Sequence, residues 1–356
     1  MAKNARVSRL PVMASHMSTQ EKSKRIESLY VLKAICAFFV ITIHLPTFQK
    51  ILVPIAGVGT PCFLCITGYL LYSASKEREL EKCISWAAKS FWLAVVFNII
   101  YVLANTFIFG IEMAWMDWRF YIKLLVLGTG ASPYLWYLTA LFEALLILYV
   151  IIRYAPKLMS FLPLLFIIAL VMRNLEACVP EFEFPGNIHP IVIRNSCIIT
   201  SLPFLATGYL LRKHEEWLLK VVNFGYALPI TIVLLIAEYY LRGQIPKNYF
   251  LLGSYPLVVL LMLLCIKHKD FTIPVLGGIG KNHSPNIYYF HGLYIMFLEE
   301  VDVYNQNAYL LALGVYIACL PCSFVYNWLS QKWKLHVWGP FCHRLSYLVK
   351  PRRLNI

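Results

Sequence analysis

Charge is what this sequence lacks most. Only 14% of its 356 residues are Asp, Glu, Lys or Arg, while 60% are hydrophobic and the mean hydropathy is +0.64. A soluble domain carries roughly a quarter of its residues as charges. The shortage excludes a soluble globular protein and implies a polytopic membrane one. Acidic residues are scarcer still, 18 against 32 Lys and Arg, for a formal net charge of +14. Those basic residues never gather into the single face that nucleic acid would require. They lie in short clusters between apolar runs, as the positive-inside rule expects, so no nucleic-acid partner is expected.

An internal repeat, a low-complexity stretch and a soluble domain are missing too. Residues 1–25 carry Lys3, Arg6, Arg9, Lys22, Lys24 and Arg25 but no long apolar core. That composition reads as a disordered cytoplasmic tail, with no cleavable signal peptide expected. Ser15, His16 and Met17 read as a cloning remnant or an upstream start, so no function is placed before Ser23. Ten cysteines would suit a disulfide framework, but most, such as Cys36, Cys197 and Cys319, fall within apolar segments and read as small buried hydrophobes. Cys62 and Cys65 form a C-x-x-C, yet no second Cys or His pair accompanies them at ligand spacing. No metal and no permanently bound cofactor is expected.

What is present is a series of ten apolar runs, at about 28–46, 53–73, 86–109, 134–153, 159–172, 196–211, 221–241, 250–266, 284–298 and 308–329. A membrane helix needs about 20 mostly apolar residues. The expected fold is therefore all-α, a polytopic bundle of about ten transmembrane helices, with one membrane domain over 26–335 and a basic cytoplasmic tail over 336–356. With the N-terminus inside, 24 Lys and Arg fall on the inner face and 7 on the outer, Lys33 lying within a span. Both termini are then cytoplasmic. Glu176, Glu181 and Glu183 occupy the largest outer loop, and Glu299, Glu300 and Asp302 the last. The stretch 111–130 is only about half a span and rich in Trp and Tyr; it reads as an interfacial or re-entrant element on the outer face.

The first run, SLYVLKAICAFFVITIHLP, holds Lys33 and His44. An ionisable side chain inside a membrane segment is a functional-site hypothesis by default. Eleven residues of helix set the two side chains within about 20° of each other and roughly 16 Å apart along the axis. They share one stripe, at opposite ends. Thr67 and Tyr69 of the second run are expected to reach the same region, Thr67 also able to hydrogen-bond within its own helix, and Gly57, Gly59 and Gly68 are spaced for close helix contact. Glu143 stands at mid-depth in its run, where a carboxylate must pair, be protonated or face water. Trp136 and Tyr137, in YLWYLTA, fit an aromatic belt or a cavity wall. Late in the chain a glycine-rich loop leads into Tyr288, Tyr289 and His291, a second candidate for proton chemistry or substrate binding.

Taken in order, these motifs resemble the acyltransferase-3 family of integral membrane O-acyltransferases. A basic residue followed by ten residues and a His, here Lys33 and His44, is similar to that family's first-span signature. TGYLL resembles its Ser-Gly-Tyr segment with Thr67 in place of Ser, while LWYLTAL, LPFLATGYLLRK and HSPNIYYFHGLYI resemble three later segments. The first inner loop departs from the pattern, having Lys82 and Lys89 where a pair of arginines is usual. The resemblance, from about residue 25 to 335, implies transfer of an acyl group, most often acetyl, from cytoplasmic acyl-CoA to a hydroxyl of a cell-envelope glycan, exopolysaccharide or lipid-linked sugar. It implies a stand-alone enzyme of the cell inner membrane, with no fused hydrolase-like domain. His44 is then a base or a transient acyl carrier, and Lys33 a partner for a CoA phosphate or the thioester oxygen. Thr67, Tyr69, Trp136, Tyr137, Glu143, Tyr288 and His291 are the expected substrate-binding residues. The rival is a secondary transporter or flippase using buried Lys, Glu and His as a proton relay. A purely structural scaffold leaves Lys33 without a purpose.

Overall fold

The structure, a computed structural model, describes residues 25–45, 53–111, 117–125, 128–129, 131–178, 196–241, 251–301, 303 and 308–332. Among the described residues the regular structure is helical, without strands. The helices are α1 Glu27–Thr42, α2 Val53–Ala56, α3 Gly59–Leu71, α4 Lys76–Phe107, α5 Trp118–Leu125, α6 Trp136–Tyr154, α7 Leu165–Cys178, α8 Cys197–Thr200, α9 Leu202–Lys213, α10 Glu215–Val221, α11 Phe224–Leu241, α12 Ser254–Lys267, α13 Pro274–Asn282, α14 Ser284–Glu300 and α15 Ala308–Lys332. Each of the ten apolar runs holds a helix. The expected tails before residue 25 and over 336–356, and the loop with Glu181 and Glu183, lie outside the described residues.

Four stretches, Pro54–Leu71, Lys76–Phe107, Trp136–Tyr154 and Leu310–Lys332, are long and apolar enough to cross a membrane, and α10 with α11 makes a fifth if that pair, bent by 85°, is one span. Ile99, Leu103, Val150, Val233 and Phe324 point outward, each at least half exposed. Such an exterior suits acyl chains rather than water.

Several boundaries differ from the sequence expectation for local reasons. The 28–46 run is helical only to Thr42, and His44 sits in the following turn, its N–H bonded to the Ile41 carbonyl at 3.1 Å. Pro46 follows, and the residue before a proline disfavours the helical conformation. The 159–172 run opens with two short 3-10 turns, Pro156–Ser160 and Leu162–Leu164, each with a proline in its first turn, so α7 begins only at Leu165. In contrast α4 begins ten residues before Trp86. The Ser75 hydroxyl accepts the Arg78 N–H at 3.4 Å, and Glu77 and Glu79 complement the helix N-terminus. At 32 residues α4 is about 48 Å long, well beyond the ~30 Å hydrocarbon core of a bilayer. In the 111–130 stretch α5 has only 8 residues, far short of a span.

Glycines set the closest helix contacts. Gly68 of α3 and Gly208 of α9 lie in two copies of TGYLL, and a Cβ on Gly68 would stand 1.9 Å from the Leu205 carbonyl oxygen, one on Gly208 1.9 Å from that of Cys65. Backbones can approach so nearly only where both helices lack a side chain. Gly280 does the same for α13, its place for a Cβ lying 1.7 Å from the Tyr30 carbonyl oxygen of α1. The two TGYLL segments also exchange hydroxyl contacts. Tyr69 donates to Glu215, just beyond α9, at 2.6 Å, and Tyr209 donates to Glu79, just beyond α3, at 3.1 Å.

Candidate active site

A cavity of about 300 Å³ opens where α1, α3, α4, α6 and α14 meet. Helical periodicity decides who faces it. From α3 come Thr60, Phe63, Thr67 and Leu70, three or four residues apart; from α4 Trp86, Lys89, Ser90 and Leu93; from α6 Tyr137, Leu138 and Leu141. Lys33 enters from α1, and Pro285, Tyr288 and Tyr289 from the start of α14. Lys33 and Lys89 are the two charged side chains in this lining, and both are cations. The ammonium of Lys33 lies 6.0 Å from the Tyr30 ring centroid. A partly enclosed pair of like charges among apolar walls favours an anionic guest. Thr67 donates to the Phe63 carbonyl of its own helix at 2.9 Å, and its hydroxyl also meets that of Tyr137.

Beyond the cavity, Tyr288 leads to a cluster of rings. Its hydroxyl donates to the Tyr134 carbonyl at 2.6 Å, and its ring stands 5.0 Å from Tyr137 and 5.5 Å from His291. The His44 ring packs edge-on against Tyr134 at 4.7 Å and lies 5.5 Å from the His291 ring. His291 is fully buried, and its Nδ1 lies 2.6 Å from the Tyr288 carbonyl oxygen. That oxygen can only accept, so Nδ1 carries a proton, and in the neutral ring Nε2 then carries a lone pair. No hydrogen-bond partner meets Nε2 among the described residues. Gly292 makes the packing possible, since a Cβ there would lie 2.4 Å from the Tyr101 hydroxyl and 2.5 Å from the Tyr134 ring.

The structure thus brings Lys33, Thr67, Tyr137 and Tyr288 to one cavity, and His44 and His291 to a pair beside it. Three expected binding residues stand elsewhere. Tyr69 is two residues from Thr67, about 200° around the helix. Contrary to the sequence expectation it faces away, its hydroxyl held by Glu215 and by Arg212 at 2.8 Å. Glu143 likewise follows Leu141 by two and meets the Cys197 thiol. Trp136 lies edge-on to Tyr137 at 6.5 Å, outside the cavity lining. Gly128, at φ +64°, packs against it, a Cβ there falling 3.0 Å from the Trp136 Cα.

Sequence reasoning did not place Trp86 and Lys89 on the cavity wall or Tyr134 beside the histidines. Helical spacing from Lys82 and Trp86 would have put Lys89 on the cavity face; no sequence signal marks Tyr134, which reaches the histidines from a turn.

Between α9 and α10, Arg212 and Glu215 form an ion pair at 2.8 Å, with Lys269 at 3.6 Å from the same carboxylate. Burial by itself would raise the Glu215 carboxyl, but hydrogen bonds from Tyr69 and Arg212 and the charge of Lys269 hold it below its usual range.

A family model described as an acyltransferase domain, acyltransferase 3, matches residues 26–328, nearly the whole chain. The chain belongs to the acyltransferase-3 family. Comparison with curated proteins and with solved structures gives no match. The matched region begins beside α1 and ends within α15, so it takes in Lys33, His44, both TGYLL segments and His291.

Proposed function

We propose that this acyltransferase-3 protein moves a short acyl group, acetyl, from cytoplasmic acyl-CoA to a hydroxyl of a cell-envelope glycan, exopolysaccharide or lipid-linked sugar. Its setting is the inner membrane, crossed about ten times with both termini cytoplasmic, as the distribution of Lys and Arg supports. The observation that carries the reading is the cavity lined by Lys33 and Lys89, whose wall residue Tyr288 stands 5.5 Å from the His291 ring, itself 5.5 Å from that of His44.

The chemistry follows from the two ends. Lys33 and Lys89 hold the anionic part of the donor, and its extended arm carries the thioester along the roughly 16 Å of α1 between Lys33 and His44. At the outer end the acceptor hydroxyl must lose a proton as its oxygen bonds to the acyl carbon, and negative charge develops on the thioester oxygen. The imidazole pair supplies both the proton chemistry and a donor for that charge. Thr67, Tyr137 and Tyr288 shape the passage between them.

The 85° bend between α10 and α11 is the observation that favours the transporter reading, because broken helices mark many transporter sites. Neither helix lines the cavity with Lys33. The test is the ester content of envelope polysaccharide from cells with and without the protein. Acylation present only with the protein supports the enzyme, and equal acylation in both overturns it.

A further inference from the structure

We infer that His291, rather than only positioning substrate, is the general base that takes the proton from the acceptor hydroxyl; this rests on the acyl-transfer reading above. The argument begins with its tautomer. The Nδ1–H bond to the Tyr288 carbonyl at 2.6 Å commits one ring nitrogen as a donor, which leaves Nε2 unprotonated. Nε2 is buried and meets no hydrogen-bond partner among the described residues, while the ring as a whole is 0% exposed. A buried acceptor left unpaired forfeits the hydrogen bond it made to water in the unfolded chain, so its retention calls for a ligand that donates to it.

The surroundings say which donor. Among the described residues, the titratable side chains that face the His291 ring are His44 at 5.5 Å, Tyr134 at 5.6 Å and Tyr288 at 5.5 Å, with the Tyr101 phenol beside Gly292. All four bear rings and none is a carboxylate, which suits a sugar hydroxyl better than a cation. His44 is half-buried, whereas His291 is fully buried and stands beside Tyr288, a wall residue of the cavity. An acceptor entering past His44 therefore presents its hydroxyl to Nε2 while the thioester approaches from the cavity.

The step balances without a further reagent. The acceptor oxygen bonds to the acyl carbon as its proton passes to Nε2. His44 donates a ring N–H to the oxyanion, the carbon–sulfur bond then breaks, and the leaving thiolate takes the proton back from the His291 imidazolium. The products are an ester and free CoA thiol, and His291 returns to its starting tautomer.

The test uses the full-length protein in native membrane vesicles, with acetyl-CoA as donor and two acceptors. One is de-esterified envelope polysaccharide from the natural host. The other is hydroxylamine, whose nitrogen carries a free lone pair at neutral pH and attacks a thioester without a base. His291→Gln should slow ester formation by about 10² to 10⁴. Its rate of acetohydroxamate formation, above a protein-free control, should stay within about threefold of wild type. A structural role predicts that both products fall together, and that result overturns the proposal, as does ester formation at the wild-type rate. Wild-type vesicles forming neither product overturn the acyl-transfer reading itself. Should His291→Gln fail to accumulate, the tautomer is read in the wild type: ¹⁵N spectra of labelled histidine must show Nδ1–H with Nε2 bare, and a proton on Nε2 contradicts the assignment.

Discussion

Gly68 and Gly208 each occupy the space the other's helix needs, their two α-carbons set where a single methyl would strike backbone at 1.9 Å. Backbone cannot swing aside as a flexible side chain would, so α3 and α9 must separate to admit a side chain. Gly208→Val should therefore lower the melting temperature and cost more than the 1–3 kcal/mol usual for overpacking. Because α3 also carries Thr67 and Leu70, activity should fall in the protein that remains folded. A melting curve matching wild type would show that the helices do not touch here.

Lys33 separates a charge requirement from mere snorkelling. Lys33→Ala should raise KM for the acyl donor at least tenfold, and Lys33→Arg should keep part of the wild-type rate, because an anion needs the charge more than the shape. Lys89→Ala, on the facing wall, should act in the same direction and more weakly, since that side chain is the more exposed of the two. Normal donor kinetics in Lys33→Ala would assign the ammonium to the headgroup region.

The cluster around Glu215 gives a pH prediction. Its carboxyl is held below the usual range in the folded protein, while the unfolded chain has a Glu near 4.3. The stability this contributes is present above about pH 4.3 and is lost as pH falls through the lower folded value. Thermal melts of wild type should thus drop across the acidic range more steeply than those of Glu215→Gln. Parallel curves would mean that Tyr69 and Arg212 do not bind the ionised form.

Topology is checked from outside. A cysteine introduced near Glu183, in a protein whose native cysteines are replaced, should react with an impermeant reagent on intact cells. Reaction only after permeabilisation would invert the arrangement drawn from the 24 and 7 basic residues.

The sequence carried more of the helices than of the site. Apolar runs mark where helices lie because burial in lipid is a one-dimensional demand, and all ten runs contain one. Their ends were less legible: Pro156 and Pro163 delayed α7, whereas the Ser75 cap let α4 start ten residues before its apolar run. Lys33 and His44 stood out because charge within a membrane run is costly. Tyr69 misled, since motif membership says nothing of which face a residue takes, and two positions from Thr67 is the opposite face. The duplicated TGYLL was visible in the chain, but its consequence, tyrosines reaching across to Glu215 and Glu79, depends on a crossing that only three dimensions show. Nor could spacing place His291 beside His44, 247 positions away.

Most direct is the rate of ester formation on envelope polysaccharide by His44→Ala, measured beside wild type in vesicles with equal protein. His44 is half-exposed in a turn, so its loss should leave the protein inserted and folded. The account predicts a fall of about 10² or more, the usual cost of removing an acid–base or oxyanion group. Full esterification in His44→Ala, with movement of a lipid-linked sugar across the membrane abolished instead, would contradict it and make His44 part of a proton relay.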